Sequence, residues 1–386
     1  MTEDWRDAAD QLARTLRADA PHREQAAAEP EAEVALLRAS GLLTLLLPAS
    51  AGGRGAGWLA ANETARTVAA ADASVGHLLG YHYLQLWRTE LFGRPDLVER
   101  LHRDTVAGNL FWAGVSNPLD AALELTPVEG GFRVEGRKSF ATGASVADRL
   151  VVSATRVDSG QKLTFVVDAH APGLSYLHDW DNLGQRLTAS GGVVFRDVHV
   201  PDEDVLGVHD ETSVRASLAA LGFQLMLAQI YVGLAEGALT EAAEYTRTKT
   251  RAWTLSDVDE AVADPYILVG YGELVAQTRA AGALTDRAAA ALGAAFDRGD
   301  ALSEQERGEA AVTISAAKVV ATRVANEAGS KIYEFTGARA SANKYGLDRF
   351  WRNARTLTLH DPVAYKAREV GAHFLTGEPP RLSGYS

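Results

Sequence analysis

The chain has 386 residues, 47% of them hydrophobic and 23% charged, the make-up of an ordinary globular protein of two or three packed units. Because it contains no cysteine, disulfides, thiolate nucleophiles, iron–sulfur ligation and cysteine-held zinc are excluded together, and redox chemistry is left to a bound organic cofactor or a His/carboxylate site. A formal charge of −12 disfavours nucleic-acid backbone binding as the main activity, while leaving room for a local basic pocket that takes a cofactor phosphate.

The amino terminus, Met1 to Asp7, is charged and lacks an apolar signal core. The nearest candidate for a membrane span, Leu42 to Leu47, is short and interrupted by Thr44. A cytoplasmic location is therefore expected. Residues 1–108 read as a helical domain punctuated by Pro21, Pro30, Pro48 and Pro95. Glu33 to Leu47 carries Val34, Leu37, Gly41 and Leu45 at helical intervals, and Ala60 to Trp87 is an Ala-rich stretch that predicts one extended helix. Between them, Pro48 to Gly57 has the glycines of a phosphate loop but no Gly-Lys-Ser/Thr ending. Its position after a helical segment favours a tight connection between helices.

Residues 109–208 switch to period two and predict a middle β domain. Leu123 to Val128 and Phe132 to Gly136 flank Glu129-Gly130-Gly131, a hairpin signal, and Leu150 to Ala154, Leu163 to Val167 and Val193 to Pro201 add further strands. Residues 209–386 return to helix. The stretches 211–249, 264–297 and 303–336 are each long enough for a bundle helix, and Ser303 with Glu306 offers a capping box at the start of the third.

Among residues suited to chemistry, His360 can take or deliver a proton near neutral pH, an imidazole having an unperturbed pKa of ~6.5. Asp361 before Pro362 suits a helix N-cap. On the predicted long helix His77 and Tyr81 are four residues apart and share a face, whereas His82 and Tyr83 turn away. No metal site is expected.

The order of helices, β unit and helical bundle, with several local motifs, resembles the acyl-CoA dehydrogenase fold over nearly the whole chain. The motifs are the turn Pro48 to Gly57, the strand exit Val198-His199-Val200-Pro201, the turn Gly337-Ala338-Arg339-Ala340 and the segment Leu347 to Ala354. Where a dehydrogenase of that family carries Tyr-Glu-Gly, with Glu as the α-proton base, this chain reads Leu359-His360-Asp361-Pro362. That ending, with Gly184 to Gly191 and Tyr345 to Arg349, is similar instead to the reduced-flavin monooxygenases built on the same scaffold, the dibenzothiophene monooxygenase and indole oxygenase group.

The resemblance implies a two-component enzyme. A separate reductase supplies reduced FAD or FMN, O2 adds to give a C4a-hydroperoxyflavin, and one oxygen atom passes to an aromatic or sulfur-containing small molecule. It assigns His360, His77 and Tyr81 to catalysis, Trp112, Ser116, Phe140, Thr142, Arg251, Arg339 and Asp361 to flavin contact, and Trp87 and Leu357 to the substrate side. Arg251 is expected to reach the flavin of a neighbouring subunit in a homotetramer. An FAD-dependent acyl-CoA dehydrogenase is the alternative enzyme, since ungapped alignment puts Asp361 on the Glu position. A helical scaffold is the alternative outside enzymes, and would leave the ordered flavin motifs unexplained.

Overall fold

The computed structural model describes residues 4–208, 210 and 212–385. Six helices come first: α1 (Asp4–Arg17), α2 (Ala20–Ala26), α3 (Glu31–Ala39), α4 (Trp58–Ala71), α5 (Ala73–Phe92) and α6 (Pro95–Gly108). Eight strands follow, β1 (Trp112–Val115), β2 (Glu124–Val128), β3 (Gly131–Lys138), β4 (Arg149–Arg156), β5 (Lys162–Asp168), β6 (Leu174–Tyr176), β7 (Val193–Pro201) and β8 (Val205–Val208). The chain then closes with α7 (Leu218–Thr248), α8 (Pro265–Asp297), α9 (Glu304–Thr336), α10 (Asp348–Leu357) and α11 (Val363–Thr376). The strands form one sheet in the order β6-β7-β3-β2-β4-β5-β8, with β1 added parallel to β4.

Most of the predicted elements are present, with local differences. The hairpin at Glu129-Gly130-Gly131 joins β2 to β3 in antiparallel register, and the capping box of Ser303 and Glu306 opens α9. The helix expected from 211 starts only at Leu218, and Glu211 itself lies outside the described residues. The helix expected over 33–47 stops at Ala39, because Gly41 takes φ +69° and turns the chain into a short 3-10 segment at Leu42–Thr44.

The single helix expected over 60–87 is two helices broken at Asp72. Its backbone is extended (φ −148°, ψ 107°), and its carboxylate accepts from the N–H groups of Ser74 and Val75 at 3.1 and 3.2 Å. A side chain that prefers capping to helix interior thus ends α4 and starts α5. Its other oxygen accepts from Arg23 Nη2 at 2.7 Å, which ties the break to α2.

Helix α7 is the spine. By length and composition it could cross a membrane, yet 83% of its most apolar window is buried inside the protein, so it is a core helix. Gly233 and Gly237, one turn apart, let it press on α4: a Cβ at Gly237 would sit 2.1 Å from the Ala70 carbonyl oxygen, and one at Gly233 2.5 Å from that of Arg66. One apolar core runs from Leu12 of α1 through Val152 and Phe165 of the sheet to Ile314 of α9 and Phe350 of α10. The ends of α5, the loops of the sheet and the α10–α11 turn are thereby held in fixed relation.

Replacing Asp72 with Ala removes a cap and part of a buried ion pair, while Arg23 retains Glu33 at 3.4 Å. The expected loss is ~1–3 kcal/mol in equilibrium denaturant unfolding, with Asp72→Asn losing less because it keeps the capping oxygen. Equal stability of Asp72→Ala and the parent would contradict this account of the break.

Candidate active site

Helix α5 carries His77 and Tyr81 on one face, as their spacing predicts, with the rings edge to face at 4.1 Å. Tyr81 in turn meets Phe223 of α7 at 5.1 Å. His77 Nδ1 is 3.1 Å from Gln185 Oε1, and with that oxygen as acceptor Nδ1 carries the proton and Nε2 is left as an acceptor. Burial pulls the His77 pKa down to about 3, against the opposing hydrogen bond that Nδ1 donates to Gln185, so the ring is neutral at working pH. Burial pushes the Tyr81 phenol up, and the negative charge of Asp361 adds to the effect. His77 Nε2, Tyr81 Oη and Gln185 Nε2 are all buried without a hydrogen-bond partner. Three such atoms, on residues linked through His77, suit a polar ligand edge.

His82, on the opposite face of α5, is structural. It accepts from the Trp112 N–H through Nδ1 at 3.0 Å and its Nε2 is 2.8 Å from the Leu43 carbonyl. Burial lowers its pKa to about 4.

The α10–α11 turn brings the second group. His360 Nδ1 lies 3.0 Å from Asp361 Oδ1, so the adjacent carboxylate is the partner of His360. Asp361 does not cap a helix: α11 follows Pro362 with no side-chain cap. Asp361 is buried, and the same oxygen accepts a charge-assisted bond from Lys318 of α9, whose ammonium also reaches Gln224 of α7. Burial alone would raise the Asp361 pKa, but the His360 hydrogen bond and the Lys318 charge override it and hold the group well below the usual carboxylate range. His360 keeps 36% of its side chain exposed. It is near enough to His77 for its charge to disfavour protonation there.

A third group comes from the sheet loops. Thr142 Oγ1 is 2.9 Å from Ser190 Oγ, which is 2.7 Å from Thr188 Oγ1, and Thr188 donates to the Gln185 carbonyl at 2.8 Å. The same carbonyl accepts from Trp180 Nε1 at 2.8 Å, and the Gln185 N–H donates to Asn353 of α10. Phe140, Gln185 and Ala189 all adopt positive φ, at 53°, 57° and 45°. Strain of this kind at three positions in two neighbouring loops is held by the surrounding bonds and is characteristic of binding sites. Thr142 therefore belongs to the constellation, and Gln185, Ser190, Trp180, Asn353 and Lys318 are members that residue-by-residue reasoning did not single out.

The remaining expected residues are placed differently. Trp112 is fully buried, donates from Nε1 to Thr105 at 2.9 Å and packs with Leu86, Leu101 and Val166 behind the sheet, so its side chain faces away from the site. Trp87 lies in the core between Trp58 and Phe296, between one and two turns of α5 beyond Tyr81. Leu357 is a core residue too; its carbonyl accepts from Tyr231 at 2.9 Å. In each case an aromatic or apolar side chain found a better partner in the interior.

Ser116, just past the end of β1, is exposed, and Phe140 is 65% exposed, its ring edge-on to Trp180 at 5.9 Å. Arg251 is exposed in the segment after α7, and Arg339, in the turn after α9, donates to the Lys249 carbonyl at 3.3 Å. Neither is in hydrogen-bond or ion-pair contact with the His77 group among the described residues. Glu99 and His102 stand three apart on α6, a spacing a metal can use, but His102 Nε2 is 3.3 Å from Glu90. No group of three or more His, Cys, Asp or Glu side chains that could hold a metal is present among the described residues.

The residues present fit a flavin. An isoalloxazine edge offers both donors and acceptors, which matches the unpartnered Gln185 Nε2, His77 Nε2 and Tyr81 hydroxyl. The hydroxyls of Thr142 and Ser190 stand alongside on the sheet side.

Residues 117–198 match the middle domain of acyl-CoA dehydrogenases and residues 225–365 match their C-terminal domain. A dibenzothiophene monooxygenase of Rhodococcus erythropolis is 41% identical over 96% of this chain and 92% of its own length. A probable FMNH2-dependent monooxygenase of Pseudomonas putida, SfnC, is 38% identical over 99% of this chain and 96% of its own. The solved structure of TdsC from Paenibacillus sp. A11-2 with FMN and indole superposes with a TM-score of 0.96 at 38% identity, covering 100% of both chains. The aligned lengths leave no part of the architecture unaccounted for, and the chain belongs to the reduced-flavin-dependent monooxygenases of the acyl-CoA dehydrogenase fold.

Proposed function

We propose that the protein is the oxygenase component of a two-component system: a separate reductase delivers reduced FMN or FAD, and one atom of O2 is placed on a flat, largely apolar aromatic or sulfur-heterocyclic molecule. The observation that carries this reading is the juxtaposition of three unpartnered polar atoms on neutral side chains, His77 Nε2, Tyr81 Oη and Gln185 Nε2, with a partly exposed His360 backed by a buried carboxylate. A relative of closely similar fold is described with FMN and indole bound.

Reduced flavin, when bound, supplies the two electrons that activate O2, so that one oxygen atom leaves in the product and the other as water. The chain's own residues then have three tasks. Gln185, Tyr81 and the Thr142–Ser190 pair would hold the ring edge through bonds that need no charge. His77, kept neutral by burial, accepts a hydrogen bond at Nε2 without adding a positive charge beside the reacting atoms. His360, with Nδ1 engaged by Asp361, holds or moves a proton at Nε2. Tyr81 and Phe223 offer apolar ring area to a planar substrate at about 25 cal/mol per Å² buried.

The protein works as a homotetramer in this reading. Large apolar side chains lie bare on helix ends in the single chain: Tyr266 at 85% exposure on α8, and Phe374 and Leu375 at 85% and 81% on α11. Trp253 and Leu255 lie bare beside Arg251. Patches of this kind mark interfaces. Arg251, exposed and without a contact to the His77 group among the described residues, would serve the flavin phosphate of a neighbour. A cytoplasmic location follows from dependence on a reductase and its nicotinamide donor.

Three outcomes are expected. His360→Ala lowers oxygenated product by at least ~10²-fold at saturating reduced flavin with flavin affinity nearly intact; unchanged turnover removes His360 from the mechanism. Arg251→Ala weakens flavin binding by ~10–10²-fold or loosens the assembly, since a charge-assisted phosphate contact is worth ~1.5–3 kcal/mol. Wild-type affinity in an intact oligomer contradicts that assignment. With a flavin reductase, NADH and O2, indole or a thiophene-type heterocycle gains 16 mass units; if acyl-CoA thioesters instead bleach bound FAD without O2, the substrate reading fails.

A further inference from the structure

Lys318 sits in the middle of α9 on the face that carries Ala311, Ile314 and Ala325 into the core, and it is 1% exposed. An apolar side chain would fill that position at less cost, because desolvating an ammonium is expensive unless its partners are well placed. They are well placed here: the ammonium reaches Asp361 Oδ1 on the α10–α11 turn and Gln224 Oε1 on α7. The carboxylate oxygen it binds is the one that faces His360 Nδ1 at 3.0 Å. Three elements thus converge on a single ammonium group, and one of its two acceptors is the carboxylate oxygen that faces the imidazole.

We propose that Lys318 is a positioning residue for the oxygenation: together with Gln224 it fixes the Asp361 carboxylate so that Oδ1 accepts from His360 Nδ1–H, which assigns proton exchange to His360 Nε2. This rests on His360 being the proton-handling group. The logic is that of an imidazole oriented and held in one tautomer by a buried carboxylate, with the carboxylate itself locked by a cation. Lys318 touches neither substrate nor flavin in this arrangement and acts through Asp361.

The other charges around the group are few. On α11 Lys366 pairs with Glu369 at 3.1 Å and donates to the Tyr385 carbonyl, and Ser315 of α9 donates to Glu369 at 2.7 Å. Tyr231 of α7, Tyr81 of α5 and Tyr385 near the carboxy terminus feel the charge of Asp361, and His77 of α5 feels that of His360. Burial draws the Lys318 pKa down to about 8, with the attraction of Asp361 opposing the fall. As pH rises through that value the ammonium is lost and Asp361 is left without its lock.

The test uses the full-length protein with a flavin reductase, FMN, NADH and indole, and follows kcat, KM and hydrogen peroxide from pH 6 to 10. In the wild type kcat for oxygenated product is expected to fall along an alkaline limb near pH 8, with KM little changed. Lys318→Met should lower kcat by ~10²-fold, the scale of a misplaced catalytic group, with flavin affinity intact, more peroxide released and the limb gone. Lys318→Arg, which keeps the charge, should move the limb to higher pH. If Lys318→Met does not fold, Lys318→Met with Asp361→Asn restores neutrality; it should fold and stay slow.

Either variant, folded and with wild-type kcat and pH profile, overturns the proposal, as does a wild-type profile flat from pH 7 to 10. His360→Ala separates the two levels. Full activity there defeats the underlying reading whatever Lys318 does, whereas an inactive His360→Ala beside a wild-type Lys318→Met defeats only this inference.

Discussion

Two charges taken out of water where α7, α9 and the α10–α11 turn meet set the geometry around them. Lys318 and Asp361 are both buried, and each would be costly alone. Paired, and with Gln224 and His360 supplying the further hydrogen bonds, they are tolerated; a pair of apolar residues would serve stability as well or better. The pair ties the turn after α10 to α9, and the same carboxylate oxygen holds His360. A helical bundle that needed only to fold would not require it.

The opposite wall of the site is built on another principle. His77, Tyr81, Gln185, Thr142 and Ser190 are neutral, and burial keeps the two titratable members so. Their hydrogen bonds carry no net charge, which suits a cofactor whose charge changes during turnover. Held between a neutral wall and a half-exposed imidazole, a planar ring system would meet donors and acceptors on its edge and one proton-exchanging atom beyond it. Positive φ at Phe140, Gln185 and Ala189 shows how closely the loops had to be fitted.

Much of the fold was legible because it rests on long, strongly periodic segments. α7, α8 and α9 carry Ala, Leu and charged residues over thirty or so positions, and the β2–β3 hairpin announces itself by two glycines. What escaped was local. Asp72 breaks an otherwise continuous helical pattern because one carboxylate prefers two backbone N–H groups and Arg23, a choice settled by tertiary partners. Gly41 ends α3 by a turn that periodicity alone does not reveal.

The site was legible in part for the same kind of reason. His77 with Tyr81, and His360 with Asp361, are near neighbours in sequence, so spacing could suggest them. Trp87 and Trp112 were misjudged because an aromatic side chain near a cofactor segment and one in the core look alike in sequence. Lys318 and Gln224 lie on Ala- and Leu-rich helices far from any motif, and only the fold brings them to Asp361. Gln185 fell inside a segment resembling the monooxygenase group, but nothing in its type sets it apart from its neighbours.

If a separate reductase supplies the reduced flavin, this chain transfers oxygen from O2 without reducing the flavin itself. A single turnover decides it: the purified protein is mixed anaerobically with photoreduced FMN and indole, with no reductase present, and then exposed to ¹⁸O₂. The account predicts product carrying one ¹⁸O atom, in an amount set by the reduced flavin bound. Reoxidation of the flavin with stoichiometric hydrogen peroxide and unlabelled indole would contradict it.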